Sequence, residues 1–255
     1  MRMTVNTKLL INCLDRILLK GKYVASSGMK NGQLSNYAEI VVVNNNAIEV
    51  RNADNSTAVK TIFHAEIQGK GEFVVEIDKM IKYLKTMGEE TSIESTDVIK
   101  LSSGSKKATL PMVVVHPHLT TIEMLCKAAI EFDATLTEKV TFGNKNTEYN
   151  TSIQMLAKDF IDGVNSCESV GSGIYRFDYN EEFIVSSSLG AEKYSQEITC
   201  RVVGEPATVD ISAPVHKLFT DEGENILNLY FNDDVPITII SGSSFLIRAP
   251  RVSGN

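Results

Sequence analysis

His116-Pro117-His118 is the one short spacing in this 255-residue chain that invites a metal. A tetrahedral zinc site asks for four donors, and Pro117 holds the pair extended with no Cys or further His close by in sequence. The two read as ordinary histidines of a connecting segment. His64, in a predicted strand, and His216, in a predicted short helix, have no acidic or thiol neighbour to work with. Cys13, Cys126, Cys167 and Cys200 are far apart and form no Cys-x-x-Cys pair, which reads as reduced, mostly buried thiols. Glu89-Glu90, Glu181-Glu182 and Asp233-Asp234 fall at expected strand ends or turns, where solvated carboxylates are ordinary. The chain has no Walker A sequence, no Gly-x-Gly-x-x-Gly after a strand and no Gly-x-Ser-x-Gly elbow. No catalytic residue, metal site or cofactor is therefore expected. An enzyme with a site scattered along the chain is the weaker alternative.

The remaining chemistry is charge. A net charge of −7 and a pI near 5.2 exclude a protein that grips nucleic acid over its whole surface. The basic residues are nevertheless concentrated on predicted helices at 7–20, 78–87, 150–162 and 212–220. Those helices carry Lys8, Arg16, Lys20, Lys79, Lys82, Lys85, Lys158 and Lys217 against only Asp15, Asp78, Asp159 and Asp162. Lys79, Lys82 and Lys85 project within about 120° of one another, opposite Met80, Ile81 and Leu84. If the helices share one face of the molecule, that face is positive and the rest acidic.

The elements that would position these lysines form a repeat. Phe73 to Lys85 reads as a β-branched strand meeting a capping residue, Asp78, and a brief helix. Ala207 to Phe219 repeats the pattern with Ser212 at the cap, roughly half the chain later. Each half also starts with an apolar 3.6-residue stripe: Leu10, Cys13, Leu14, Ile17 and Leu18 from about Thr7 to Lys20, and Ile153, Leu156, Ala157, Phe160 and Val164 from about Asn150. Short strands follow each stripe, among them Ala38 to Val43, Ala47 to Arg51 and Ala58 to Glu66 around an Asn44-Asn45-Asn46 turn. Two similar units are expected, at 1–116 and 147–255, with 117–146 as a connector whose Thr120 to Phe132 is a candidate helix. The apolar runs fall short of the ~20 residues a membrane helix needs, and no signal peptide is recognisable. An intracellular protein without a membrane partner is expected.

Several stretches together resemble a DNA sliding clamp of the proliferating cell nuclear antigen type. They are Ala53 to Val59, Val75 to Leu84, Ser186 to Ala191, and the ending Val235 to Ile239 followed by Phe245 to Arg251. The resemblance implies an α+β fold of two similar clamp domains, each with two helices packed on antiparallel β-sheets. It also implies subunits joined head to tail in a ring, usually a homotrimer, with helices lining the hole. Such a ring encircles double-stranded DNA without sequence preference and acts as a polymerase processivity factor. Its partners are the DNA polymerase, a clamp loader and other replication or repair proteins that dock through short peptides. Its location is nucleus, nucleoid or viral replication site, according to host.

Carried onto this chain, the resemblance makes Lys8, Arg16, Lys20, Lys79, Lys82, Lys85, Lys158 and Lys217 DNA-facing, and makes Thr57, Ala58, Pro236, Ala249 and Pro250 the partner-peptide pocket. Lys107 to Val115 and Ser172 to Asp178 are the expected edge strands at which subunits join. The competing reading is a clamp-fold paralogue that serves as a protein-interaction scaffold, or as a subunit of a mixed ring, without encircling DNA itself.

Overall fold

The computed structural model describes residues 1–20, 33–131, 139–142, 145–213, 215, 217–219 and 225–251. The chain opens with strand β1 (Arg2–Asn6), which buries Met3 and Val5 and runs straight into helix α1 (Thr7–Ile17). Asn6 joins the two, its side-chain oxygen accepting the Leu9 N–H at 3.0 Å. The helix stops at Ile17 rather than at the expected Lys20. Leu18 turns extended and Leu19, in β2 (Leu19–Lys20), pairs with Ser35 in β3 (Gln33–Ser35). Leu18 is buried all the same, so it satisfied the helical spacing without being helical.

The predicted meander is β4 (Tyr37–Asn44), β5 (Ala47–Ala53), β6 (Thr57–His64) and β7 (Glu66–Gln68). Strand β8 (Glu72–Glu76) then enters helix α2 (Ile77–Leu84), followed by β9 (Glu90–Ser95), β10 (Val98–Ser103) and β11 (Lys106–Pro111). The Asp78 side chain does not cap α2. Asp78 lies inside the first turn, and its N–H is taken by the Asn36 side-chain oxygen at 3.1 Å, so the cap comes from beside β4. The helix ends at Leu84 with Lys85 as C-cap, short of Met87 and Gly88.

The connecting segment holds helix α3 (Leu119–Glu131) and a hairpin of β12 (Lys139–Phe142) and β13 (Lys145–Glu148). Phe132, at the end of the expected helix, lies outside the described residues. The second half begins with strand β14 (Thr151–Leu156), not with a helix from Asn150. Thr151, Ile153 and Met155 are buried in strict alternation, a two-residue period that Ile153, Leu156 and Ala157 disguise as a helical one. Helix α4 (Ala157–Glu168) starts only there.

Then come β15 (Ile174–Asn180), β16 (Glu182–Leu189), β17 (Glu192–Glu197), β18 (Arg201–Gly204), β19 (Ala207–Ser212), β20 (Ile226–Phe231), β21 (Ile237–Ser241) and β22 (Ser244–Arg248). Ser212 ends β19, and residues 217–219 form a turn where a helix over 212–220 is expected. Among the described residues of that stretch there is no helix; Pro214, His216 and Thr220 lie outside them.

The sheets make the repeat explicit. A five-stranded sheet has the order β11-β10-β9-β1-β7, and a four-stranded sheet has the order β17-β16-β15-β19. The central nine-stranded sheet, β18-β14-β20-β21-β22-β6-β5-β4-β8, is one more of each, fused where β22 pairs with β6. Its first five strands repeat the five-stranded sheet in second-half residues, and its last four repeat the four-stranded sheet in first-half residues. The fusion register sets Phe245 opposite Lys60, Leu246 opposite Val59, Ile247 opposite Ala58 and Arg248 opposite Thr57.

Alternation along the nine strands separates two faces. Ile48, Val50, Val59, Leu229, Ile239 and Leu246 point into the main core with α1, α2 and α4. Ala53, Ala58, Tyr230, Phe245 and Ile247 point the other way, into a smaller cluster with Ile122, Leu125 and Ala128 of α3. At the fusion, Arg248 is 2% exposed, donates to the Ala213 carbonyl at 3.4 Å, and feels the pull of the buried Asp54 carboxylate.

Candidate functional site

On the core-covering side, α1 and α2 lie side by side. Lys8 and Lys79 are exposed there, as are Lys82 and the C-cap residue Lys85. Their positions follow from the buried stripe of α2, Ile77, Met80, Ile81 and Leu84, which leaves the lysines only the outer face. They are not equivalent. Lys79 lies 2.6 Å from Glu76, and the hydrogen bond to that carboxylate raises its pKa, whereas Lys82 and Lys85 make no ion pair with a described residue. Arg16 is half-buried and lines a groove of about 320 Å³ between α1, β6 and the β21–β22 turn, at the seam of the two halves. Lys20 falls in β2, with its side chain outside the described set.

The second half contributes less. Lys158 is exposed near the start of α4, but Asp159, Asp162 and Glu168 make that helix net acidic. Lys217 is exposed in the turn at 217–219. The cationic surface is thus a first-half feature built on α1 and α2.

On the opposite side, strand register gathers the expected pocket residues around one end of β22. Arg248 pairs with both Thr57 and Ile237, which brings the neighbouring Ala58, Ala249 and Pro236 together, with Pro250 next in chain. The Ala249 N–H donates to the Ser56 carbonyl at 2.7 Å. Pro236, Ala249 and Pro250 are half-buried; Thr57 and Ala58 are buried, and Ala58 lies under α3.

Beneath the same helix is a polar group that the sequence did not reveal. Arg51 is held between Glu39 and Glu49, its Nε 3.3 Å from a carboxylate oxygen of each without hydrogen-bond geometry to either, while Lys60 reaches Glu49 at 3.0 Å. A guanidinium N–H of Arg51 donates to the Cys126 sulfur of α3. Burial raises the pKa of Cys126 against the opposing pull of Arg51, and burial likewise raises Glu39, with neighbouring carboxylates adding to it.

The histidine pair turns out to anchor the connector. His116 is 1% exposed; its Nδ1 accepts the His118 backbone N–H at 3.0 Å, which leaves Nε2 to donate to the Asn52 side-chain oxygen at 3.1 Å. The Asn52 amide donates to the Ile17 carbonyl at 2.9 Å, so one buried knot ties the connector to β5 and the end of α1. Burial lowers the His116 pKa to about 4. Both ring nitrogens are used, and no group of three His, Cys, Asp or Glu among the described residues could hold a metal. No helix among them is long and apolar enough to cross a membrane.

No family model and no curated protein sequence matches this chain. Solved structures do. The Archaeoglobus fulgidus PCNA, bound to the C-terminal region of FEN-1, superposes with a TM-score of 0.67 over 100% of this chain and 99% of its own, at 15% identity. The Thermococcus kodakaraensis PCNA matches with a TM-score of 0.65 over 98% and 99%, at 11% identity. The Helicobacter pylori beta clamp bound to a DNA ligase peptide matches with a TM-score of 0.66, covering 100% of this chain and 67% of that one, at 12% identity. The α+β arrangement of antiparallel sheets and few helices described above is the sliding-clamp fold, spanning the whole chain.

Proposed function

We propose that the chain is a DNA sliding clamp, a subunit of a closed ring that encircles duplex DNA and offers a docking surface to replication and repair proteins. The observation that carries this reading is the strand order. Inside the chain, a five-stranded sheet is fused to a four-stranded one through β22 and β6. By the repeat, β11 is the counterpart of β22 and β17 the counterpart of β6, and among the described residues both are free edges. The same joint made between chains continues head to tail, and closure removes every such edge. The expected edge at Lys107 to Val115 narrows to β11, because Val113 has already left it to bridge Val74 of β8. The expected edge at Ser172 to Asp178 is replaced in this scheme, because β15 is interior and β17 takes its place.

Three chains per ring is the number the resemblance implies. With α1, α2 and α4 on one side of the sheets, Lys82, Lys85, Lys8 and Arg16 would face the hole. A lining of a few unpaired cations suits a ring that must slide, because topology holds the DNA and phosphate contacts need only be weak. The acidic α4 favours the second reading, a scaffold or mixed-ring subunit that does not encircle DNA.

Threading separates the two. Protein incubated with linear duplex whose ends are then blocked should stay on the DNA through a high-salt wash and be released by a restriction cut. Release by salt alone would leave the scaffold reading.

A further inference from the structure

We propose that α3 is a displaceable internal ligand, which holds closed a peptide-docking patch on the outer face of the nine-stranded sheet. The proposal rests on the docking half of the function proposed above and on no other part of it.

The patch is Ala58, Tyr230, Phe245, Ile247 and Ala53, contributed by both halves across the fusion of β22 and β6. Its occupant is known, because α3 lays Ile122, Leu125 and Ala128 on it, a spacing that puts all three on one helical stripe. This contact is a satellite of the main core, whose side chains point through the other face of the sheet. Among the described residues, no side chain of α3 belongs to that core.

The polar half of the contact sets a cost against the cover. Docking α3 covers the buried Glu39 and Glu49 and the half-buried Arg51 between them, and among the described residues the partner it brings to the guanidinium is the Cys126 thiol, a weak acceptor. Arg51 Nε has no hydrogen bond among the described residues, and Glu123 of α3 adds a further carboxylate acting on Glu39. The group that bears the cost is Glu39, whose pKa burial raises against the pull of Arg51, with the surrounding carboxylates adding to the rise, and undocking relieves that cost. Apolar contact and the Arg51–Cys126 hydrogen bond hold the helix down, while the crowded carboxylates around Glu39 favour its departure.

Such a balance makes the patch available to a competitor. The fitting partner is a short peptide presenting aliphatic or aromatic anchors along one stripe, as Ile122 and Leu125 do now, with polar groups toward Arg51. The A. fulgidus PCNA and the H. pylori beta clamp are bound to segments of FEN-1 and DNA ligase respectively. In this chain an equivalent partner must first displace α3, so apparent affinity is reduced by the closed fraction.

The test uses the full chain, wild type and Ile122→Asp/Leu125→Asp, with a fluorescein-labelled synthetic peptide of residues 117–131 as probe. The variant is expected to bind the probe at least tenfold more tightly than wild type. Equal affinity for the two, no binding to the variant, or a variant that does not fold would each overturn the proposal, the last because α3 would then be integral to the core. Hydrogen exchange on wild type gives an independent readout. Amides of 123–131 should be at least a hundredfold less protected than those of β5 and β6 beneath them, and equal protection would overturn it. Neither readout involves DNA or ring closure, so a failed clamp reading leaves this test standing.

Discussion

Lys82 and Lys85 are the residues on which DNA contact would mainly depend, because Lys79 already spends its charge on Glu76. Replacing Lys82 and Lys85 together by Glu should weaken salt-sensitive retention on DNA and processive synthesis by about tenfold or more, while Lys79→Glu alone does much less. The ring mass should be unchanged in both; equal effects of the two variants would contradict the ranking. His116 supports a different experiment. Its pKa of about 4 in the folded chain lies below the usual value near 6.5, so the unfolded chain binds more protons between those values. Stability is then full above about pH 6.5 and falls as the pH drops toward 4, by up to about 3 kcal/mol. Urea unfolding at pH 7 and pH 5 should show the loss in wild type and much less of it in His116→Gln, which lacks the titrating group.

At the scale of elements, the fusion of the halves has its own weak point. Arg248 and Asp54 are both buried beside β22 and β6, and one oxygen of Asp54 has no hydrogen-bond partner among the described residues. Arg248→Ala leaves that carboxylate without its nearby cation and should cost about 3–5 kcal/mol, read by chemical unfolding. A second prediction concerns the free edges. Lysine at both Thr109 in β11 and Ser195 in β17 places like charges along the proposed joint, and should shift the equilibrium toward monomer by about tenfold or more with circular dichroism unchanged.

The elements also show what could be read in advance and what could not. The meander at β4 to β6, the β8–α2 unit, the connector helix and the last strands follow from alternation, turn residues and helical spacing. Strand β1 leaves little mark in the sequence because its two buried residues are too few to register, and β14 is disguised because its apolar positions also satisfy a helix. Strand β17, Glu192 to Glu197, has only Tyr194 as a sizeable apolar side chain, so nothing local marks it, although the proposed joint depends on it. The repeat left little sequence identity because the two cores are filled differently. The second is packed by Phe160, Phe177, Phe183 and Phe219, while the first is mostly aliphatic around Leu10, Leu14, Met80 and Leu84. Of the site residues, the lysines of α2 were legible from one helix wheel. The knot of His116 with Asn52 and the Arg51–Cys126 contact were not, since each joins positions at least 64 apart in sequence.

For the whole molecule, the proposed ring would use the fusion of β22 with β6 twice, once within the chain, where it is seen, and once between chains, where β11 would meet β17. In such a ring the cationic α1–α2 face would lie inside and the acidic remainder outside. It also makes the account sensitive to a single quantity. Light scattering of the purified chain across a concentration series should give a mass near three times 28.1 kDa. A clean 28.1 kDa monomer at high concentration would contradict closure through β11 and β17.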